Sequence, residues 1–377
     1  MSAVTRLLGG MSAVASAAGG RRRLATVGLS GGRRRLATVA APEHFLHVGP
    51  GGDWWEGGGI YAAKHNPGDY VRSLPLPVGT RVRGDVPAGE LRAMYDAAAV
   101  DAAWLEPAWS AGDPTAALAA PGRCQLGDDW TPCALRDRVW VSDDTMVATF
   151  DLPDASAPLG LSTCACVLAR GGAGDDGEPV VRPYTPVSTN ALVGAFQVMV
   201  KVYERGTLSR ALAALDVGDA LDFKHIAFNV KIQFPFGAKK VGMLAGGTGI
   251  APMLQALHAL LGSTDDKTEV TVLYGSRSSR DVLAEATLDD WCAKHARLKV
   301  VHVLSDEPAG SASPHARGRI DAGLVKAHLP PPGDDALLFV CGPPPMYDAL
   351  CGPRGDADAV TGVLGDLGYA PAQVVKF

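Results

Sequence analysis

Around residue 236 the chain changes its hydrophobic period, and no other feature restricts its fold as much. Before that point, short runs of strand-forming residues at 133–141, 145–151, 161–168 and 196–203 are separated by Asp, Gly and Pro turns. Successive strands at this spacing predict an antiparallel β-barrel. A helix at 208–215, a Gly218-Asp219 turn and a strand at 220–223 complete that half. Beyond it, strands at 241–244, 270–274, 299–304, 336–341 and 374–377 accompany helices at 251–261 and 282–295. Parallel neighbours need a crossover between them, so this alternation predicts a parallel sheet flanked by helices. The expectation is a two-domain molecule: a barrel over residues 129–236, then an α/β domain over residues 237–377.

What precedes these domains is of two kinds. Residues 1–40 hold seven Arg, several Ser and Ala, and no acid before Glu43; Gly-Gly-Arg-Arg-Arg-Leu-Ala-Thr-Val occurs there twice. An acid-free, Arg-rich start reads as a transit peptide, mitochondrial before plastid because Arg outweighs Ser and Thr. Without those seven arginines the net charge goes from −5 to −12. A body this acidic repels nucleic acid, so the basic start is no part of a nucleic-acid groove. Residues 41–128 form an extension of unknown role, punctuated by Pro and Gly, with one helix expected at 90–103. Its Trp54, Trp55, Trp104 and Trp109 imply packing on the body or docking of a partner. The seven cysteines show neither a CxxC pair nor zinc spacing, so reduced thiols and no bound metal are expected. Cys164 and Cys166 are expected two apart on one face of a strand.

Four short segments carry chemistry. In Arg182-Pro183-Tyr184-Thr185-Pro186-Val187-Ser188, a guanidinium can grip a pyrophosphate by paired hydrogen bonds. Tyr184, two residues on in extended backbone, lies on the same face and can cover a flat ring. Gly206-Thr207-Leu208-Ser209 opens a helix, where free N–H groups suit either a phosphate or a simple N-cap. Leu244-Ala245-Gly246-Gly247-Thr248-Gly249-Ile250-Ala251-Pro252 follows a strand and opens another helix. Its glycines let backbone approach a dinucleotide, and Pro252 is tolerated in a first helical turn. Phe339-Val340-Cys341-Gly342-Pro343-Pro344-Pro345-Met346 ends a buried strand at the edge where open parallel sheets bind ligands.

Taken in order, these four motifs resemble the NADH-cytochrome b5 reductases of the ferredoxin-NADP reductase superfamily, over roughly residues 130–377. The endings Gly362-Val363-Leu364-Gly365-Asp366-Leu367-Gly368-Tyr369 and Val374-Val375-Lys376-Phe377 resemble mitochondrial-type members. The resemblance implies an FAD-binding barrel and an NAD-binding α/β domain. It implies a flavoprotein that passes electrons from NADH through FAD to a one-electron acceptor, cytochrome b5 or a similar small redox protein. By resemblance, Arg182, Pro183, Tyr184, Thr185, Val200, Lys201, Leu208 and Ser209 hold FAD. Gly246, Gly247, Thr248, Gly249, Pro252, Asp306, Cys341, Gly342, Pro343 and Met346 hold NADH. Thr185, toward flavin N5, and Cys341, beside the nicotinamide, stand at the reaction.

Two departures matter. Where the family has Gly-Pro, this chain has Lys224-His225-Ile226-Ala227-Phe228-Asn229. Where it has an Asp that favours NADH, this chain has Ser305, with Asp306 and Glu307 following. Between Phe223 and Thr264 there is no acid, and Lys224, Lys231, Lys239 and Lys240 predict a basic patch for an acidic acceptor. The alternatives are the same module serving another acceptor, or a flavoprotein subunit kept for structure in a membrane complex. The location expected is the mitochondrial intermembrane space or a membrane surface, with peripheral attachment allowed for.

Overall fold

The computed structural model describes residues 113–225 and 230–377, with three strands nearer the start. The chain divides into two compact units, residues 1–108 and 109–377. In the first, β1 (Phe45–Val48) pairs antiparallel with β2 (Trp54–Gly57) and β3 (Arg81–Arg83), in the order β2-β1-β3. Strands were not expected there. The helix expected at 90–103 lies outside the described residues, as does the transit segment.

The second unit opens on an antiparallel sheet of β4 (Thr131–Trp140), β5 (Thr145–Asp151), β6 (Val167–Ala173), β7 (Pro179–Tyr184), β8 (Ala195–Lys201) and β9 (Ala220–Lys224). Their order is β7-β6-β9-β4-β5-β8. Just past β7, Pro186 bridges Val198 and the Val187 N–H donates to the Gln197 carbonyl at 2.8 Å, which brings the two ends of the sheet together. This closure is the barrel. Phe150, Phe196 and Phe223 fill it, with ring centroids 4.7 to 5.8 Å apart. Each buried ring contributes about 2–3 kcal/mol through area alone, more than the ring geometry adds. Helix α1 (Thr207–Ala214) packs on β6 and β7.

One strand is misplaced by the sequence reading. Residues 161–166 are turn and coil, and Cys164 adopts φ 60°, a left-handed conformation that a β-ladder excludes. Cys164 and Cys166 therefore share no strand face. Arg182, Pro183 and Tyr184 lie on β7, in the extended backbone expected of them.

The remaining elements form a parallel sheet of β10 (Lys240–Gly246), β11 (Glu269–Ser276), β12 (Leu298–Leu304), β13 (Ala316–Arg317), β14 (Ala336–Cys341) and β15 (Val374–Lys376). The order is β13-β12-β11-β10-β14-β15. Alternate residues of one strand enter two cores: Val241, Met243 and Ala245 of β10 pack with α2 (Ile250–Gly262) and α3 (Glu285–Lys294), while Leu244 faces the other way. Helices α4 (Ala322–His328), α5 (Pro344–Leu350) and α6 (Gly362–Asp366) supply residues to that second core. Both faces are covered, which is why β10 and β14 read as unbroken apolar runs. Helix α3 starts later than expected, because Ala284 before it takes φ 60°.

Residues 113–121 form an extended strap across both halves of this unit. Lys294 of α3 pairs with Asp113 at 2.7 Å, and the Thr115 N–H donates to His258 Nδ1 of α2 at 3.1 Å. Asn190, from the barrel half, donates to the Ala117 carbonyl at 3.0 Å.

Candidate functional site

Strand β7 delivers Arg182 and Tyr184 to one face by its two-residue repeat. Arg182 is exposed, and its guanidinium donates to the Val181 carbonyl at 2.7 Å. Thr185 and Tyr184 are half-buried just beyond. Burial pushes the Tyr184 phenol up to about 12, with Tyr203 adding to the rise and Arg182 opposing it. Tyr203 is exposed two residues past the end of β8. Helix α1 begins at Gly206 without a side-chain cap, so no N-cap side chain takes up its first N–H groups. The Tyr203 N–H donates to Ser209 Oγ at 3.4 Å, which fixes that hydroxyl in the first turn of the helix, where Leu208 packs inward. Val200 is buried on β8, and Lys201 ends the strand.

Across the same cleft, β10 ends at Gly246 and a 3-10 turn, Gly247–Gly249, leads into α2. A Cβ on Gly246 would stand 2.7 Å from Met346 Sδ and 3.0 Å from the Pro343 ring; one on Gly249 would overlap the Cys341 carbonyl. Gly246, Gly249, Cys341, Gly342, Pro343 and Met346 are thus one cradle of closely approaching backbone, with Ala245 and Cys341 in register on paired strands. Tyr274 donates its hydroxyl to the Gly247 carbonyl at 3.1 Å and holds the turn from below. Pro252 accepts from Cys164 Sγ at 3.3 Å, and Gln255 of α2 donates to the carbonyls of Pro186 and Ser188 at 2.8 and 2.7 Å. These bonds stitch the end of the barrel motif to the glycine-loop helix.

Burial pushes the Cys341 thiol up to about 11, while Tyr347 and Arg354 oppose the rise. Cys166 is raised by burial too, with Arg354 and Lys231 opposing. Asp306 is exposed beyond β12; its N–H donates to the Arg277 carbonyl at 2.7 Å, and its carboxylate accepts from Ser305 Oγ at 2.9 Å. Glu307 is engaged differently: its carboxylate accepts from the Ser279 N–H at 2.6 Å and from the hydroxyls of Ser279 and Ser311, so it braces the loop. Sequence reasoning missed Tyr203, Asp144, Arg277 and Asp281, of which the three charged residues meet at the junction of the two halves. No motif marks them, because they meet only when the two halves fold together.

The expected basic patch changes on folding. Lys239 pairs with Asp335 at 2.9 Å, and Lys224 lies over the Trp130 ring at 4.7 Å. Lys239 and Lys240 stand at the start of β10, about 20 Å of strand from Gly246 at roughly 3.3 Å per residue. They are at the wrong edge of the sheet to guide an acceptor to the cleft.

The residues present fit the two cofactors that the resemblance implies. Glycines that tolerate no Cβ line the loop side, and a helix start without a side-chain cap, with an exposed arginine, lines the barrel side. Comparison with known proteins agrees. Residues 132–229 match the oxidoreductase FAD-binding domain and residues 243–352 the oxidoreductase NAD-binding domain. The chain is therefore an FAD- and NAD-dependent oxidoreductase.

The particular family follows from its relatives. The chain is 37% identical to the NADH-cytochrome b5 reductase-like protein of Arabidopsis thaliana, over 66% of this chain and 77% of that one. It is 35% identical to NADH-cytochrome b5 reductase 2 of Scheffersomyces stipitis, over 67% and 84%. Among solved structures, the cytochrome b5 reductase domain of Ulva prolifera nitrate reductase superposes with a TM-score of 0.59 at 26% identity, over 68% of this chain and 100% of that domain. The chain belongs to the NADH-cytochrome b5 reductase family.

Proposed function

We propose that this cleft takes hydride from NADH to FAD and releases electrons singly to cytochrome b5. The observation that carries the reading is the convergence of two half-sites, the end of β7 with the start of α1, and the glycine cradle with Cys341, joined by Gln255. Arg182 and the α1 N–H groups around Leu208 and Ser209 hold the FAD pyrophosphate; Tyr184, Val200 and Lys201 border the flavin, with Pro183 setting the strand end. Thr185 donates toward flavin N5. Gly246, Gly247, Thr248, Gly249 and Pro252 receive the NADH pyrophosphate at a helix start, and Cys341, Gly342, Pro343 and Met346 bound the nicotinamide. FAD supplies the conversion of one two-electron step into two one-electron steps. The protein's part is alignment and exclusion of water.

Stopped-flow oxidation of the NADH-reduced protein by purified cytochrome b5, run beside ferredoxin, tests the acceptor. Fast oxidation by cytochrome b5 is expected, and a preference for ferredoxin would assign another one. A protein that binds FAD but is not reduced by NADH would fit a structural flavoprotein instead. Release of FMN on denaturation would remove the FAD assignment. Residues 1–40 are proposed as a mitochondrial targeting segment on composition alone; a fusion of them to a reporter that stays cytosolic would reject this.

A further inference from the structure

Where the two domains meet, four charged side chains alternate in sign. The barrel half gives Asp144, from the turn between β4 and β5, and Lys201, from the end of β8; the α/β half gives Arg277 and Asp281, after β11. Lys201 Nζ lies 2.5 Å from Asp144 Oδ2 and 3.6 Å from Asp281 Oδ1. One Arg277 nitrogen lies 3.3 Å from Asp144 Oδ2 and 2.8 Å from Asp281 Oδ1.

Each carboxylate keeps one oxygen wholly within its own domain. Asp144 Oδ1 accepts from the hydroxyls of Ser142 and Thr145, at 3.2 and 3.0 Å, within the barrel. Its Oδ2 meets Lys201 of the same half and Arg277 of the other. Asp281 Oδ2 accepts from the Ser278 N–H and hydroxyl, at 3.1 and 2.7 Å, within the α/β half. Its Oδ1 faces Arg277 and Lys201. Both acids are thus anchored at home by one oxygen, while the other is shared between a cation of its own half and a cation across the junction.

Resting on the reductase reading above, the geometry points to an interdomain latch in which Asp144 and Arg277 are positioning residues that set the flavin and nicotinamide halves in register for hydride transfer. Partly exposed pairs such as Arg277–Asp144 add little to stability, because solvent screens them. Alignment is far more sensitive: a displacement of about 1 Å costs on the order of 100-fold in rate. Loss of the latch should therefore slow the reaction while leaving the melting temperature nearly unmoved. Tyr203 reports the same junction: burial raises its phenol, Asp144 adds to the rise, and Arg277 and Thr248 oppose it.

The test compares full-length protein with Arg277→Gln, Asp144→Asn and the double variant. In the FAD-loaded protein, each single variant should lower the limiting rate of flavin reduction by NADH about 10- to 100-fold, with FAD content retained. The double variant should be no slower than either single one, because both remove the same contact; Arg277→Lys should recover part of the rate. Unchanged rates in Arg277→Gln, or additive losses in the double variant, would overturn the latch. A second readout needs no cofactor. Amide exchange in the FAD-free protein should quicken together at Thr145 and Ser278 in either variant, and independent behaviour of the two segments would also overturn it. If the unaltered protein is not reduced by NADH, the coenzyme reading falls, while the exchange measurement still decides the latch.

Discussion

The Cys341 thiol is held up at about 11 by burial, and among the described residues the groups that act on it, Tyr347, Arg354 and Cys166, include no base that draws off its proton. It stays protonated at neutral pH, so its part is to shape the nicotinamide pocket. Cys341→Ser should slow flavin reduction by NADH and leave FAD content intact; a covalent adduct in the unaltered protein would contradict this. Alkylation by iodoacetamide should be slow near neutrality and accelerate only as pH approaches about 11. Coenzyme choice also rests on single residues. Asp306 is exposed and its carboxylate accepts only from Ser305 Oγ among the hydrogen bonds of the described residues, whereas Glu307 braces Ser279 and Ser311, so Asp306 is the carboxylate placed to repel a 2′-phosphate. NADH should be preferred by a moderate margin, and Asp306→Ser should narrow the ratio of kcat/KM values; equal ratios in the unaltered protein would refute the role. Cys341 was legible in the sequence because rigid residues follow it at once. Arg277 and Asp144, 133 positions apart, were not, since only folding brings them together.

At the scale of elements, the glycine turn gives the sharpest expectation. Gly249→Ala drives a methyl into the Cys341 backbone, which no side-chain rotation relieves. A cost of about 1–3 kcal/mol, hence a fall of several degrees in melting temperature, should come with weakened NADH binding. At Gly247 a Cβ meets no atom, but φ is 54°. Gly247→Ala should cost only about 1 kcal/mol, from backbone strain. Equal effects at both positions, read by thermal melts, would undo this distinction. Arg182→Ala should lose flavin, measured as absorbance of the purified protein. The strand–helix alternation was legible because β10 and β14 are covered on both faces. The segment at 161–166 misled for the opposite reason: its apolar residues are buried in a turn, where burial without extended backbone imitates a strand.

Across the whole molecule, pH should act through two buried histidines. Burial holds both His258 and His302 down to about 4; His315 lowers His302 further and Glu285 opposes. The unfolded chain takes up these protons below about 6.5, where the folded one still refuses them. Stability is therefore full above that value and falls as pH drops toward 4. His258 accepts from the strap, but among the described residues neither ring nitrogen of His302 has a hydrogen-bond partner. His302→Phe should therefore be close to neutral near pH 7.5 and stabilising by about 2 kcal/mol near pH 5, at about 1.4 kcal/mol per unit. A melting-temperature difference independent of pH would reject this account.

The strap at residues 113–121 sets an order on biosynthesis. Thr115 is separated from His258 by 143 positions, and Asp113 from Lys294 by 181. A ribosome adding about 5–20 residues per second needs on the order of 10–35 s to supply the second partner after the strap emerges. Until then only Asn190 of the barrel half is present to hold the strap. The strap can seat only after the α/β half has formed, so its docking belongs to the last stage of maturation. A nascent chain stalled before residue 258 should leave the strap open to protease, and the finished protein should shield it.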